Sequence, residues 1–264
     1  MTLVRRHLLT GYSALALGYL FLPIGVVILF SFNDPAGRFN YTWQGWTLGS
    51  WTNPFGVPGL LDAMKISLEI AAVSSIVATA LGTLIALALV RYGFRGRGVV
   101  NTLIFLPMTT PEIVLGASLL ALFLNFGVAT GFGTILLAHI MFNISYVVVT
   151  VKARLVGFDR HLEEAAMDLG ANEWTTFGRV TLPLIAPGIL AAGLLAFALS
   201  VDDFVITAFN AGTTVTFPLY VYGAARVGVP PQVNVMGTII FVTAVGAMLA
   251  NVVFQRRRAA KGVA

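Results

Sequence analysis

The chain has 264 residues, 58% of them hydrophobic and 10% charged, with a mean hydropathy of +0.88. A soluble domain of this length cannot bury that much apolar surface, so the composition excludes a water-soluble globular protein and points to an integral membrane protein. The formal net charge of +5 forms no continuous basic stripe, which argues against nucleic acid as a partner and for contact with membrane lipid. The absence of cysteine excludes disulfides and thiolate metal sites.

About 20 apolar residues span a bilayer, and six such runs follow one another, roughly 9–32, 61–90, 99–126, 132–151, 184–204 and 234–254. The expectation is an all-α, polytopic transmembrane bundle of six spans, one domain over residues 1–264. The first run, behind Arg5 and Arg6, is too long for a secretory signal, and Ser31-Phe32-Asn33 is no small-residue cleavage site, so it reads as an uncleaved span. Placing the N-terminus inside puts thirteen of the sixteen Lys and Arg residues on the cytoplasmic side and leaves Arg38, Lys65 and Arg226 outside. Both termini are then cytoplasmic.

The segment after the first run carries Trp43, Trp46 and Trp51, which fit a belt at the headgroup level or a contact with an external partner. In the second run Lys65 and Glu69 stand one turn apart and read as a self-neutralising pair, which makes Glu69 a weak site candidate. The third run is interrupted by Pro107 and Pro111. Thr110-Pro111-Glu112 has the order of an N-cap, a proline at the first helical position and an acid in the first turn, so a helix restarts there. Glu112 either complements that helix start or faces a solute pathway. Both readings stand open.

His139, Asn143 and Tyr146 follow in the fourth run; a lone histidine among apolar residues reads as packing, and no second histidine stands at metal spacing. The fifth run begins after Pro183 and Pro187 and ends at Asp202-Asp203, adjacent carboxylates that need a cation or a proton unless they form a solvated helix end. Phe204, Phe209, Tyr220 and Tyr222 offer aromatic faces nearby. A short amphipathic helix is expected from Phe217 to Gly228, with Asn234 capping the last span.

Between the fourth and fifth runs lies a polar interruption, residues 157–183. Asp159 is a candidate N-cap, and Leu162, Ala165, Ala166 and Leu169 share one helical face. Gly170 suits a left-handed helix end, and Asn172 suits the cap of a second short helix carrying Trp174 and Phe177. The result is an amphipathic knuckle whose alanines permit close approach by a grooved partner.

Glu164-Ala165-Ala166, Gly170 and then Val180-Thr181-Leu182-Pro183 resemble the EAA signature of bacterial ABC-importer permeases, with Val180 in place of the usual isoleucine. The stretch from Ser31 to Trp51, with RYGFRGRG at 91–98, VDDF at 201–204 and FPLYVYGAARVGVPPQVN at 217–234, is similar to the polyamine branch of that family, where Glu112 replaces a more usual aspartate. The resemblance covers essentially the whole chain. It implies the MetI-like permease fold of type I importers, and a coupling loop at 157–183 in which Glu164, Ala165, Ala166, Leu169, Gly170, Trp174 and Pro183 meet an ATPase subunit. The implied partners are a second homologous permease, two ATPase subunits and an external substrate-binding protein.

Chemistry of the chain's own is not expected. It has no P-loop for ATP, no credible Ser-His-Asp or Cys-His set with three histidines, and no paired metal ligands. ATP and Mg are expected on the partner ATPases, and no cofactor on this chain. The function expected is import of polyamines such as spermidine or putrescine across the plasma (inner) membrane, with Glu112, Asp202, Asp203, Phe204, Tyr220 and Tyr222 along the pathway. Two rivals are the same scaffold carrying ferric ion, a sugar or an organic acid, and an ion-coupled secondary transporter working alone.

Overall fold

A computed structural model describes residues 3–37 and 39–261. Arg38 and the side chains of Arg5, Arg6, Arg256, Arg257, Arg258 and Lys261, on which the expected orientation partly rests, lie outside the described residues. The described residues are mostly helical, in the order α1 (Leu3–Phe30), α2 (Gly49–Thr52), α3 (Leu60–Arg91), α4 (Arg97–Thr109), α5 (Glu112–Asn125) and α6 (Phe132–Val156). Then come α7 (His161–Asp168), α8 (Glu173–Thr176), a π-helical turn (Phe177–Thr181), α9 (Leu182–Asp202), α10 (Val205–Asn210), α11 (Phe217–Val227) and α12 (Pro231–Lys261).

Among the described residues, four helices are long and apolar enough to cross a membrane: His7–Phe30, Leu60–Arg91, Phe132–Val156 and Glu173–Asp202. The third apolar run is two helices, α4 and α5, that turn through 108° at Thr110-Pro111 and together count as a fifth crossing or a re-entrant pair. The last helix contributes a shorter described apolar stretch, Pro231–Gly246. It starts at Pro231, with proline at the first helical position where its missing N–H costs nothing, rather than at an Asn234 cap.

The chain packs as two compact units, residues 62–220 and residues 1–61 with 221–264. In the second of these, α1 is exposed along nearly all of its length, as a lipid-facing helix is, and meets α12 through Phe21 on Phe241 at 6.5 Å. The segment after α1 is a compact knot. Buried Asn33 donates to Asn40 Oδ1 (2.6 Å) and the Thr42 carbonyl (2.8 Å) and accepts from the Gln44 amide (2.8 Å), while Phe32 stacks on Trp51 at 5.2 Å. Trp46 remains 70% exposed on its surface.

The other unit holds the main core, at the junction of α3, α6 and α9, where Ala78, Ala86, Val147, Val151, Ile185 and Ala192 are buried together. Small residues let these helices approach closely, which supplies the dispersion contacts that hold helices together where water is absent. The tightest point is Gly82, where a Cβ would stand 2.6 Å from Val147 Cγ1 and 3.3 Å from the Ile144 carbonyl. Arg154 crosses just as closely over Gly188 to donate to the Leu184 carbonyl at 3.2 Å, and Lys152 reaches Asn101 on α4 at 2.8 Å.

The expected Lys65–Glu69 pair does not form: both side chains are exposed, and the ion pairs among the described residues do not include it. Gly82→Val should cost about 1–3 kcal/mol by overpacking the α3–α6 crossing. The melting temperature of the detergent-purified protein measures this, with Gly133→Ala, whose Cβ would meet nothing within 4 Å, as the control that does not lower it.

Candidate functional site

Two places bring together the polar residues singled out by sequence. The first is the knuckle between α6 and α9. Asp159 Oδ1 accepts from the amide of His161, the first residue of α7, at 3.0 Å, but the N-cap position is Arg160, which makes no side-chain cap bond, so Asp159 stands one residue ahead of the cap expected of it. At the other end Gly170 has φ +90°, its amide donates to the Met167 carbonyl (2.9 Å), and the Ala171 amide donates to the Ala166 carbonyl (3.1 Å). That reciprocal pair is the Schellman motif, which ends α7 and turns the chain toward α8. Asn172 Oδ1 accepts from the Thr175 amide at 2.8 Å and starts α8, as its sequence position predicts.

The fifth run, expected to begin after Pro183 and Pro187, belongs to a helix that starts earlier. Proline lacks an N–H and its ring crowds the carbonyl four residues earlier; the π-turn Phe177–Thr181 widens the helix just before Pro183 and absorbs both defects. The helix therefore runs unbroken from Glu173 to Asp202.

One residue the sequence reading passed over fixes the knuckle in place. The Glu163 side chain, 15% exposed, accepts hydrogen bonds from both Arg91 at the end of α3 and the buried Thr181 hydroxyl, and Arg91 also donates to Thr181 Oγ1 at 3.2 Å. Glu164, its neighbour, is exposed. The available signal was spacing: Glu163 and Ala166 are three apart on one helical side, and these are the half-buried positions of α7.

The apolar face predicted for α7 is turned outward. Leu162 is 47% exposed, Leu169 90% and Trp174 85%, and α7 buries none of its residues.

The hydrogen bond that the His161 imidazole donates to Asp159 Oδ1 holds the imidazole above its ordinary pKa, with the charges of Asp159 and Glu164 adding to it, and the His161 ring and amide hold Asp159 below the usual carboxylate range. The raised His161 stabilises α7 at low pH and loses that effect as pH rises, while the depressed Asp159 does so above its ordinary pKa and loses it as pH falls. The pair thus acts between about pH 4 and 6.5. Both groups are exposed, so salt screens the effect. NMR titration should give His161 a midpoint that falls in Asp159→Asn. Glu163→Ala strands Arg91 and Thr181 and should cost about 1–3 kcal/mol, seen as a lowered melting temperature that Glu164→Ala does not reproduce.

The second place is the far end of α9. Asp203 and Asp202 are adjacent in sequence but not alike in environment. The Asp203 side chain is 7% exposed and accepts from the Thr207 amide (2.8 Å) and hydroxyl (2.7 Å), starting α10, and it lies 3.2 Å from His139 Nε2. Asp202 is exposed. Asp203 is thus an enclosed carboxylate: Oδ2 takes all three of these partners, and Oδ1 takes the Ile206 amide at 3.4 Å. His139, 3% exposed, also meets Ser200 Oγ through Nδ1 at 2.6 Å. Ser200, His139 and Asp203 do come together, against the sequence reading, with Ser200 buried at 5% exposure. No group of three His, Cys, Asp or Glu residues among the described residues could hold a metal ion.

Glu112 is exposed at the first position of α5, beside Tyr146 of α6, whose phenol feels its charge. The N-cap is Pro111, whose carbonyl accepts from the Leu115 amide at 3.0 Å; Thr110 instead closes α4 by donating to the Leu106 carbonyl at 2.7 Å. Tyr222 carries a cation of its own, Arg226, stacked 4.5 Å from the ring centroid and bonded to its hydroxyl. Phe204 and Tyr220 are half-buried.

The sequence profile for the binding-protein-dependent transport system inner membrane component matches residues 78–258, which takes in α4 to α10 and the knuckle between them. The chain belongs to this family of membrane transport permeases. The permease is 40% identical over 255 residues to the spermidine/putrescine transport system permease protein PotC of Escherichia coli (strain K12), covering 96% of each chain. It is 36% identical to PotC of Haemophilus influenzae, covering 96% of this chain and 98% of the relative, and 39% identical to the putrescine transport system permease protein PotI of Escherichia coli (strain K12), covering 86% and 83%. Among solved structures the permease superposes on a bacterial ABC transporter involved in import of the acidic polysaccharide alginate with a TM-score of 0.69, at 17% identity and 97% of each chain. The methionine transporter MetNI gives 0.60, covering 78% of this chain and 96% of that one. The shared fold is that of type I ABC-importer permeases.

Proposed function

We propose that this permease is the membrane-spanning subunit of an ATP-driven importer that carries polyamines, spermidine or putrescine, into the cytoplasm. The observation that carries the reading is the end-to-end relation to polyamine permeases at 36–40% identity, since 96% of the chain aligns with the first of them. Its chemistry agrees. A polyamine presents ammonium groups separated by methylenes, and passage asks for separated acids set in apolar and aromatic wall. Glu112 at the α4–α5 break and Asp202 at the α9 terminus are exposed acids on different elements.

In this reading the knuckle docks into an ATPase subunit. Leu169 and Trp174 enter its groove, Ala165 and Ala166 allow close approach, Glu164 lies at the rim, and Pro183 lies in the helix that carries the motion onward. The full assembly holds a second homologous permease, two ATPase subunits that bind ATP and Mg, and an external substrate-binding protein; this chain hydrolyses nothing and needs no cofactor. Both termini lie in the cytoplasm.

The test is uptake by the reconstituted complex. Wild type should accumulate labelled spermidine or putrescine only with ATP and the external protein, and an assembly that carries a sugar or a ferric ion instead would refute the cargo. Gly170→Val forces a β-branched residue into the left-handed region, a strain of roughly 1–2 kcal/mol, and alters the angle between α7 and α8. Uptake and substrate-stimulated ATP hydrolysis should both fall while the chain still reaches the membrane. Stimulation at the wild-type level would remove the docking role.

A further inference from the structure

The hydrogen bonds around His139 can be counted proton by proton. The Thr207 hydroxyl has one proton, which it gives to Asp203 Oδ2 at 2.7 Å, so its oxygen is an acceptor for His139 Nε2 at 3.0 Å. Nε2 therefore carries a proton, shared between Thr207 and Asp203 Oδ2 at 3.2 Å. Nδ1 lies 2.6 Å from the Ser200 hydroxyl, and Ser200 Oγ meets Ser74 Oγ at 3.1 Å, with the Ala71 carbonyl 3.3 Å from Ser74 Oγ. Thr207 and His139 both donate toward the Asp203 carboxylate, and hydrogen bonds joined in a chain polarise and strengthen one another.

The chain draws on four elements: Ser74 of α3, His139 of α6, Ser200 of α9 and Thr207 of α10. Ser74, His139, Ser200 and Thr207 are each no more than 5% exposed. The Asp203 side chain is 7% exposed, with Oδ2 held by Thr207 and His139 and Oδ1 facing the Ile206 amide at 3.4 Å, so a passing ammonium would have to shed its water to reach it. Asp202, one residue earlier, is exposed.

We propose that the two acids have divided roles: Asp202 meets the cationic solute, while Asp203 is held out of reach by His139, a positioning residue that ties the α9–α10 break to α6 and α3. The assignment to Asp202 rests on the reading of a polycation as cargo; the lock by His139 does not.

The experiment measures uptake by the reconstituted complex against solute concentration, per assembled complex. Asp202→Asn should raise KM on the order of tenfold and leave the maximal rate within about twofold. His139→Leu and Asp203→Asn should each lower the maximal rate on the order of tenfold with little change in KM, and the double variant should be no worse than either, because one lock cannot be broken twice. Combined with Asp202→Asn, His139→Leu should act multiplicatively. His139→Gln keeps an N–H for Asp203 and should recover about half of the wild-type rate.

If Asp203→Asn raises KM as Asp202→Asn does, or if the effects of His139→Leu and Asp203→Asn multiply, the division of roles is wrong. Should His139→Leu fail to assemble, the same cycle is read with His139→Gln and Ser200→Ala. A wild type that carries another solute refutes the polyamine reading and the assignment to Asp202, while the His139–Asp203 coupling, measured on that solute, still decides the lock.

Discussion

A single carboxylate oxygen, Oε1 of Glu163, is shared by Arg91 and Thr181, and the geometry of the knuckle depends on it. The three residues come from the end of α3, from α7 and from the π-turn that opens α9. A carboxylate so little exposed must be paired, since the desolvation of its charge is otherwise uncompensated. The pairing fixes where α7 stands on the core helices. From that fixed base the Schellman turn at Gly170 presents Leu169 and Trp174 to solution.

Pro183 would interrupt an ordinary helix, but a widened turn before it keeps α8 and α9 continuous from Glu173 to Asp202. Beyond that turn α9 is packed against α3 and α6 through alanine and glycine contacts, where close approach supplies the dispersion that holds helices together without water.

At that far end the same physical rule produces a second paired carboxylate. Asp203 is enclosed by Thr207 and His139, as Glu163 is enclosed by Arg91 and Thr181. Each lock stands beside an exposed acid of adjacent number, Asp202 and Glu164. Doubled acids in this sequence thus mark one structural and one accessible group, and burial decides which is which.

What the sequence by itself determined is whatever depends on composition, period and local backbone chemistry. Apolar runs set the helical membrane class, Gly170 and Asn172 set the turn between the two helices of the knuckle, and Pro111 set the restart of a helix before Glu112. These features arise within a few residues of each other in the chain, so spacing suffices to read them. The tertiary structure alone decided which polar groups meet across elements: Glu163 with Arg91, 72 positions apart, His139 with Asp203, 64 apart, and Ser74 with Ser200, 126 apart. It also decided that Lys65 and Glu69 stay apart and that the helix through Pro183 is unbroken. Such outcomes depend on which donors burial leaves without water, and that is a property of the packed helices, not of any stretch of sequence.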